Sequence, residues 1–426
     1  MKNKFKRPKL ISDPIYGLIN ISNVIKFIDN ERFQSLGFKY QLGLTSMIFP
    51  SATHTRKAHS LGTYQATKNL TYRWKDSGFI NEEEKKALEI YALYHDWGHF
   101  ALSHATEALC RENHDEFAVE LLERFKDIFV ESEVNFDVLK RIFEHKDNLY
   151  LAVHDKTLGM DKLDYLCRDG LFTIRCKPNG ADYVREHLYY LENKLVIDEK
   201  AVDEAKDIQE FYIKMYKNVY LRKAAVILQR MMHKILYHMI KGDEISQDEI
   251  KNMNDFELLG RVSNSKIKKV KYMYKNLMTR NLYKEGLVVR KEKYNHNSNK
   301  FKDTNSIGLK SSDFNELIEM DQFNPKNING LSKLEKMISD KLSIPYEDIL
   351  IVPVLGSWRF NSMDVNILSK GNEIDSMKRR YPKHFKNLEE IADSYKALRL
   401  CSYDKYKDLI SSDKCKNIVL DLIFTK

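Results

Sequence analysis

Apolar side chains recur at helical spacing along residues 11–245, and this pattern predicts a mainly helical region. The segment NEEEKKALEIYALYHD (81–96) begins with an asparagine and three glutamates, which favour a helix start, and then places Leu88 and Tyr91 on one face. Gly98 is expected to break or kink that helix near its end. Two further helices are predicted in HSLGTYQATKNLTYRW (59–74) and in the segment 206–240.

The pattern changes in the last third of the chain. Polar clusters near 241–255 and 294–306 predict loops, and NHNSNKFKDTNS is the strongest of these signals. Short apolar runs predict strands in DILIVPVL (348–355) and MDVNIL (363–368). The segment KNLEEIADSYKAL (386–398) returns to helical spacing and is predicted as a helix between later strands.

These elements together predict a mainly α fold with a smaller mixed α+β C-terminal region. We divide the chain into a basic N-terminal tail (1–10), a helical domain (11–245) and a mixed C-terminal region (246–426). At 426 residues the chain is long for one hydrophobic core, so packed subdomains are expected. No internal repeat interrupts this scheme.

Composition places the chain among soluble globular proteins. No apolar run approaches the ~18 residues that a membrane span needs, and the basic start MKNKFKRPKL lacks the apolar stretch of a signal peptide. The five cysteines form no C-x-x-C pair, which favours reduced thiols. We therefore expect a cytoplasmic protein with no membrane partner.

Positive charge is concentrated in residues 266–302. That segment holds twelve Lys or Arg residues against Glu285 and Glu292, while the whole chain carries a net charge of +9. A local basic patch favours an anionic partner, either nucleic acid or nucleotide phosphates. A solvated helix face is the plain alternative.

Candidate chemistry lies in IYALYHDWGHFALSHATEALC (90–110), a short apolar segment rich in histidine. Histidine and aspartate resist burial unless something pairs with them, and His95 is directly followed by Asp96. Such ligands with open positions suit a Zn, Mn, Fe or Mg ion in hydrolytic chemistry. Further ligand candidates lie in FPSATHTRKAHSLG upstream, with His54 and His59, and in KTLGMDKLDYLCRDG downstream, with Asp161, Asp164 and Asp169.

The order His, His-Asp, Asp resembles the HD superfamily of metal-dependent phosphohydrolases. The likeness narrows to the deoxynucleoside triphosphate triphosphohydrolases related to the sterile-alpha-motif and HD-domain protein. It is carried by DPIYGLINIS with FQSLGFKYQLGLTSMIFPSATHTRKAHSLG, by HDWGHFALSH and by MDKLDYLCRDG, and more weakly by sequence up to residue 290. The resemblance implies a helical HD-domain metal-phosphohydrolase core that binds a divalent ion, with Mn, Mg, Fe and Zn as candidates.

The resemblance also implies roles for individual residues. The implied metal ligands are His59, His95, Asp96 and Asp161. The implied catalytic residues are Arg56, His99, His104, Glu107 and His114. The implied substrate contacts are Gln41, Arg56, Lys162, Tyr165, Asp169 and Tyr220. Among these, His104 is expected near the α-phosphate, oriented by Glu107, while Gln41 and Asp169 are expected on the sugar 3′-hydroxyl and Tyr220 near C2′.

Three positions depart from the family pattern. Gly37 stands where guanine-activated members have an arginine, although Asp29 and Gln34 match neighbouring activator positions. Tyr212 stands where a phosphate-binding arginine is expected, with Lys214 and Lys217 nearby, and Glu107 replaces an aspartate. The same mode of activation by a guanine nucleotide is therefore not expected.

The leading functional hypothesis is a metal-dependent dNTP triphosphohydrolase that releases a deoxynucleoside and tripolyphosphate. Its expected partners are a dNTP substrate, a nucleotide activator, further copies of itself as a dimer or tetramer, and nucleic acid through residues 266–302. The alternative is an HD-family phosphodiesterase or nuclease acting on cyclic nucleotides or single-stranded nucleic acid. A nucleotide sensor without catalysis is a third hypothesis, and the complete set of ligand and histidine positions argues against it.

Overall fold

The computed structural model describes residues 7–110, 112–295, 305–354 and 364–424, apart from the side chain of His104. The first helices are α1 (Ile25–Ile28), α2 (Glu31–Ser35), α3 (Arg56–Asp76), α4 (Glu82–Tyr94), α5 (His104–Glu107), α6 (His114–Arg124), α7 (Lys126–Val130), α8 (Phe136–Phe143), α9 (Leu151–His154), α10 (Met160–Thr173) and α11 (Ala181–Glu186). The later helices are α12 (Val202–Met215), α13 (Lys223–Lys241), α14 (Gln247–Asn252), α15 (Asp255–Ser263), α16 (Lys268–Met278), α17 (Ser311–Glu319), α18 (Ile328–Leu342), α19 (Met377–Arg380), α20 (Pro382–Asp393), α21 (Lys407–Ile410) and α22 (Asp413–Phe424). The predicted mainly α fold is confirmed.

Strands form three small sheets within the described ranges. They are β1 (Leu10–Asp13), β2 (Gly17–Asn20), β3 (Leu188–Leu191), β4 (Lys194–Asp198), β5 (Lys284–Lys291), β6 (Asn305–Leu309), β7 (Ile349–Val352), β8 (Asn366–Leu368), β9 (Ile374–Ser376) and β10 (Leu398–Ser402). The strand orders are β1-β2, β3-β4-β8-β9 and β6-β5-β10-β7. Most neighbours are antiparallel, whereas β4 pairs with β8 and β5 pairs with β6 in parallel.

The predicted helix starts have clear physical causes. Asn81 caps α4 through a reciprocal capping box with Glu84, as the asparagine-glutamate sequence predicts. The α3 helix begins at Arg56 because the side chain of Thr55 accepts a hydrogen bond from the backbone N–H of Ala58. Both helices therefore begin close to the positions that the sequence indicates. The α3 helix carries His59, and α4 leads directly into His95 and Asp96.

The predicted helix over 206–240 is wrong as one continuous element. The α12 helix ends at Met215, a π-helical turn follows from Tyr216 to Tyr220, and α13 begins only at Lys223. Arg222 has an extended ψ of 132°, so the chain changes direction before α13. Apolar spacing persists through the break, which explains why the sequence pattern does not reveal it.

Other predicted elements differ in their limits. The loop expected at 241–255 contains α14, and the helix expected at 386–398 instead spans α20, because Pro382 can occupy the first turn of a helix. The strands predicted at 348–355 and 363–368 contain β7 and β8. Most of NHNSNKFKDTNS, residues 296–304, lies outside the described residues, as do residues 355–363 and 1–6.

Three hydrophobic clusters among the described residues hold the fold together. The first packs α3, α4, α8, α10 and α12 around residues such as Trp74 and Trp97. The second surrounds α13, α15 and α16, and the third lies between the β6-β5-β10-β7 sheet and helices α17, α18 and α22. The C-terminal segment that contains β8 and α20 returns to the first cluster, where Phe385 and Leu388 are buried. The domain limits given above stay a prediction, and this return is a feature they do not include.

Candidate metal centre and substrate pocket

Three helical segments bring the predicted metal ligands together. His59 lies in the first turn of α3, His95 and Asp96 follow the last residue of α4, and Asp161 is the second residue of α10. Because the chain leaves regular helix at His95, the adjacent His95 and Asp96 side chains can face the same point. His59, His95 and Asp96 are all buried and form a group whose candidate ligand atoms lie within 4.8 Å of one another.

The ligand atoms converge at a spacing that suits a metal ion. His59 Nε2 lies 3.2 Å from His95 Nε2 and 3.0 Å from Asp161 Oδ1. His95 Nε2 lies 3.5 Å from both Asp161 Oδ1 and Asp96 Oδ1, and Asp96 Oδ2 lies 3.8 Å from His59 Nε2. Ligands at about 2.1 Å from a common ion are about 3.0 Å apart in an octahedron and about 3.4 Å apart in a tetrahedron. These four side chains therefore fit a divalent ion.

The charges of the cluster also favour a cation. Burial opposes a charge on His59, but hydrogen bonds to Asp161 and Asp164 outweigh that penalty and raise its pKa to about 10. Burial alone would raise the pKa of Asp96, yet Arg56 and the neighbouring histidines hold it well below its usual range. The carboxylates are thus ionised, and the space between them attracts positive charge.

A buried ion-pair chain orients His59 from behind. Its Nδ1 lies 2.7 Å from Asp164 Oδ2, and the same carboxylate accepts two hydrogen bonds of 2.9 Å from Arg168. Arg168 also donates a 2.8 Å hydrogen bond to Asp13, which lies on the N-terminal hairpin. This arrangement leaves His59 Nε2 to face the cluster, as metal-binding histidines with carboxylate partners do.

The same chain explains a glycine in α3. A Cβ on Gly62 would meet Asp164 Oδ1 at 2.1 Å and an Arg168 nitrogen at 2.2 Å. Gly62 therefore permits the close approach of α10 to α3. His95 is oriented differently, because its Nδ1 lies 2.8 Å from the carbonyl oxygen of Ala92, one turn earlier in α4.

Arg56 lies beside the cluster and is itself held from two sides. It donates one hydrogen bond to Asp96 Oδ2 at 2.5 Å and a second, from Nε, to Ser103 Oγ at 2.9 Å. Arg56 is buried, so its guanidinium has few alternative partners. It can carry positive charge next to the metal cluster in a fixed position.

Two of the predicted catalytic histidines stack on each other. The rings of His99 and His114 are 3.9 Å apart with an interplanar angle of 15°. His114 Nδ1 lies 2.7 Å from Glu107 Oε1, and His99 Nε2 lies 3.2 Å from Asp96 Oδ1. Glu107 thus contacts His114 in the structure. The side chain of His104, the predicted partner of Glu107, lies outside what the structure describes.

A second group of predicted residues surrounds Asp169, farther along α10. Its Oδ1 lies 2.7 Å from His54 Nε2, and its Oδ2 accepts a 2.7 Å hydrogen bond from Tyr220. The backbone N–H of Gln41 donates to the His54 carbonyl at 2.9 Å, which places Gln41 in the same group. The buried Gln41 Oε1 has no hydrogen-bond partner among the described residues. His54 therefore contacts Asp169, whereas His59 is the histidine of this segment in the metal cluster.

Tyrosines connect Asp169 with the predicted phosphate contact Lys162. The centre of the Tyr220 ring lies 6.5 Å from the centre of the Tyr165 ring and 4.9 Å from that of Tyr216. The ring centres of Tyr216 and Tyr212 are 4.7 Å apart. The Lys162 ammonium lies 4.0 Å from the centre of the Tyr212 ring and donates to the carbonyl of Lys156. Burial lowers the pKa of Lys162 to about 8. We call the four tyrosines, 165, 212, 216 and 220, the tyrosine wall.

Gly37, the remaining departure from the family pattern, lies just after α2, and Gln34, which matches that pattern, lies within α2. Gln34 donates to the carbonyl of Ile28 and accepts a 2.6 Å hydrogen bond from Lys57. Gly37 lies beside the same lysine, since a Cβ there would meet the Lys57 side chain at 3.4 Å. Gln34 is therefore already paired within the chain.

Comparison with known families agrees with this geometry. Residues 56–169 match the HD domain, and residues 182–322 match the HD-associated region. The chain belongs to the HD-domain phosphohydrolases. The HD match contains all four residues of the metal cluster, and the HD-associated match contains Tyr212, Tyr220 and the helices α12 to α16.

Two curated relatives extend over most of the chain. The deoxynucleoside triphosphate triphosphohydrolase SAMHD1 homolog of Dictyostelium discoideum is 28% identical over 315 residues, which cover 66% of this chain and 60% of the relative. The HD domain-containing protein L394 of Acanthamoeba polyphaga mimivirus is 27% identical over 341 residues, covering 65% of this chain and 73% of the relative. This HD-domain protein thus spans less than two thirds of the Dictyostelium relative.

Solved structures share the fold. A phosphohydrolase from Bacteroides thetaiotaomicron superposes with a TM-score of 0.69 at 22% identity, over 93% of this chain and 99% of its own. A hypothetical protein from Aquifex aeolicus gives the same TM-score at 23% identity, over 95% and 99%. Within the described ranges of the HD-domain protein, no helix is long and apolar enough to cross a membrane.

Proposed function

We propose that this HD-domain phosphohydrolase is a divalent-metal-dependent dNTP triphosphohydrolase that releases a deoxynucleoside and tripolyphosphate. The observation that carries the proposal is the convergence of His59, His95, Asp96 and Asp161 beside the buried Arg56. The Dictyostelium relative is named as a deoxynucleoside triphosphate triphosphohydrolase, which supports the choice of dNTP as substrate.

The phosphate end of the proposed substrate would lie between Arg56 and Lys162. A triphosphate carries about four negative charges, and these two cations together with the ion would neutralise much of that charge. A divalent ion held by the four ligands would supply Lewis-acid polarisation and a water activated near neutral pH. Arg56 is preorganised for this role because Ser103 and Asp96 fix its guanidinium before a substrate arrives.

Proton transfer would fall to the histidines next to Asp96. Burial, Arg56 and His114 lower the pKa of His99, whereas Glu107 and Asp115 raise the pKa of His114 in spite of its burial. Neighbouring groups with opposite pKa shifts suit an acid and a base. His104 remains the proposed group near the α-phosphate, on the family resemblance alone.

The sugar end would lie against Asp169 and Gln41. Gln41 Oε1 is an acceptor without a partner among the described residues, and a sugar hydroxyl could donate to it. Tyr220 is held against Asp169, and Tyr165 lies beside it, so the tyrosine wall would close the space near C2′. This arrangement supports a preference for deoxyribose.

A second candidate activity is supported by Tyr212. An aromatic ring stands there instead of the expected arginine, and tyrosine rings stack on bases in single-stranded nucleic-acid sites. A phosphodiesterase acting on cyclic nucleotides or single-stranded nucleic acid would use the same metal cluster. The basic segment, which contains α16 and β5, would then contribute phosphate contacts.

The proposal includes partners and location. We propose a cytoplasmic homo-oligomer, as a dimer or tetramer, in which basic side chains of the segment 266–302 contact nucleotide phosphates. A nucleotide activator would have to bind without the arginine that Gly37 replaces, and with Gln34 already bonded to Lys57.

Product analysis tests the proposed function. The purified protein is incubated with Mn²⁺ and the four dNTPs, singly and mixed, beside GTP, a cyclic dinucleotide and single-stranded DNA. The expected products are deoxynucleoside and tripolyphosphate, lost in Asp96→Ala and retained in Asp421→Ala, which changes an exposed residue of α22. Turnover only in the dNTP mixture would indicate activation. Cleavage of the phosphodiesters with intact dNTPs would reject the proposal in favour of the second candidate.

A further inference from the structure

The loop between the metal ligands and α5 has an unusual backbone. Leu102 and Ser103 both have positive φ angles, of 55° and 49°, although neither is glycine. Residues with a Cβ rarely adopt this region, and they stay there only where the surrounding structure holds them. The loop matters because Ser103 accepts the hydrogen bond from Arg56 and because His104 follows it.

The side chain of Asp255 holds this loop from the HD-associated region. Its Oδ1 accepts a 2.7 Å hydrogen bond from the backbone N–H of Leu102, and its Oδ2 accepts a 2.8 Å hydrogen bond from the backbone N–H of Tyr40. Asp255 is only 1% exposed, and it begins α15, which Asn254 caps. One carboxylate therefore joins two segments that are far from it in sequence.

Both segments lead directly into the candidate site. Tyr40 precedes Gln41, whose buried Oε1 faces no partner among the described residues. The carbonyl oxygen of Lys39 accepts a hydrogen bond from the backbone N–H of Arg56. The Lys39 Nζ donates a 2.5 Å hydrogen bond to the carbonyl oxygen of His99. The loop is thus fixed at His99 by Lys39 and at Leu102 by Asp255.

We propose that Asp255 is a positioning residue of the active site, which holds the Leu102–Ser103 turn so that Ser103 keeps Arg56 beside the metal cluster. Its effect on turnover rests on the proposed function, whereas its effect on the loop does not. The assignment gives the HD-associated region a direct part in the geometry of the HD domain. Burial raises the pKa of Asp255, and the two backbone N–H groups offset only part of that rise.

The substitution Asp255→Asn tests this with little change in shape. An asparagine side chain has one acceptor oxygen, so it can serve either Leu102 or Tyr40 but not both. Asp348→Asn is the matched control, because Asp348 is equally buried but bonds Tyr272 and Lys405 in the C-terminal part. Both variants lose a buried carboxylate, but only Asp255→Asn removes a group that is hydrogen-bonded to the loop.

Hydrogen exchange of residues 99–106 is the first measurement. In the wild type, the amide of Leu102 should exchange at least about 100-fold more slowly than an unprotected amide. Asp255→Asn should lose the protection of the Leu102 amide or, where the asparagine oxygen stays on Leu102, that of the Tyr40 amide. The amides of α10 should keep their protection, and Asp348→Asn should leave both amides unchanged. Fast exchange of Leu102 in the wild type would overturn the proposal even if the variant failed to fold.

Kinetics and metal binding complete the test. Asp255→Asn should lower kcat for dNTP about 10- to 100-fold, because a displacement of about 1 Å at Arg56 is enough for such a loss. Its Mn²⁺ affinity should change less than about three-fold, since the ligand side chains are held elsewhere. Equal losses of kcat in Asp255→Asn and Asp348→Asn would show a role in stability alone and reject the positioning role. If the wild type does not hydrolyse dNTPs, the proposed function fails, but the exchange result still decides the role of Asp255.

Discussion

The buried ion-pair chain behind His59 predicts that two substitutions have different effects. One should lower both the metal affinity and the stability of the fold, and the other should lower the stability alone. Asp164 and Asp13 both contact Arg168, but only Asp164 also contacts His59. Asp164→Asn removes the charged acceptor of the His59 imidazole. Asp13→Asn removes charge from the other end of the chain and leaves the His59 contact in place.

The expected stability losses follow from the burial of Arg168 and from the number of its hydrogen bonds that each carboxylate accepts. The Arg168 side chain is 1% exposed, and the loss of one partner of a buried ion pair costs about 3–5 kcal/mol. Both variants should therefore be destabilised, Asp164→Asn more than Asp13→Asn, because Asp164 accepts two of the hydrogen bonds from Arg168 and Asp13 accepts one. Loss of a carboxylate partner of a metal-binding histidine weakens metal binding about 10- to 100-fold, or about 1.4–2.7 kcal/mol. Only Asp164→Asn should show this second effect.

Two assays separate the effects. Denaturant unfolding of the metal-free variants gives the stability loss, and calorimetric titration with Mn²⁺ gives the metal affinity. Each titration is made at a temperature where the variant is folded, as checked by circular dichroism. Equal weakening of Mn²⁺ binding in both variants, or none in Asp164→Asn, would refute the role assigned to the Asp164–His59 contact.

Three further outcomes are expected. Tyr220→Phe removes the hydroxyl that donates a hydrogen bond to Asp169. In steady-state assays KM for dNTP should therefore rise about 3- to 10-fold, with kcat little changed. The raised pKa of His114 means that its pair with Glu107 stabilises the fold fully below pH 6.5 and less as pH rises through the raised value. Glu107→Gln should accordingly cost about 1 kcal/mol in unfolding experiments below pH 6.5 and less at alkaline pH, and a constant difference would contradict this. Chelation of the metal should lower turnover at least about 100-fold without loss of helical circular dichroism, and Mn²⁺ should restore it.

The sequence predicts the helical part of the site well because local signals coincide there. Asn81 with Glu84 marks the start of α4, and the apolar spacing after it leads to His95 and Asp96 at its end. His95 and Asp96 meet His59 although these residues are far apart in sequence. Spacing alone leaves several ligand sets open, and the family resemblance selects the set that converges. The mainly α fold follows from the same spacing.

Asp13 and Asp255 act through contacts that are distant in sequence and give no local signal. Asp13 lies 155 positions from Arg168, and Asp255 lies 153 from Leu102, so no local pattern connects either pair. The hairpin of β1 and β2 also gives no sequence signal, since its four-residue strands are too short for a period-2 pattern. The π-helical turn at Tyr216 keeps helical spacing on both sides and gives no sign in the hydrophobic pattern.

The return of the C-terminal segment to the first cluster has a consequence for the integrity of the chain. Strand β8 is hydrogen-bonded to β4, and His384 at the start of α20 bonds Gln209 of α12 at 2.8 Å. A single break of the backbone between α13 and β8 would therefore not release the downstream piece. The two fragments should remain associated under native conditions and separate only in denaturant, and fragments produced separately should assemble when mixed.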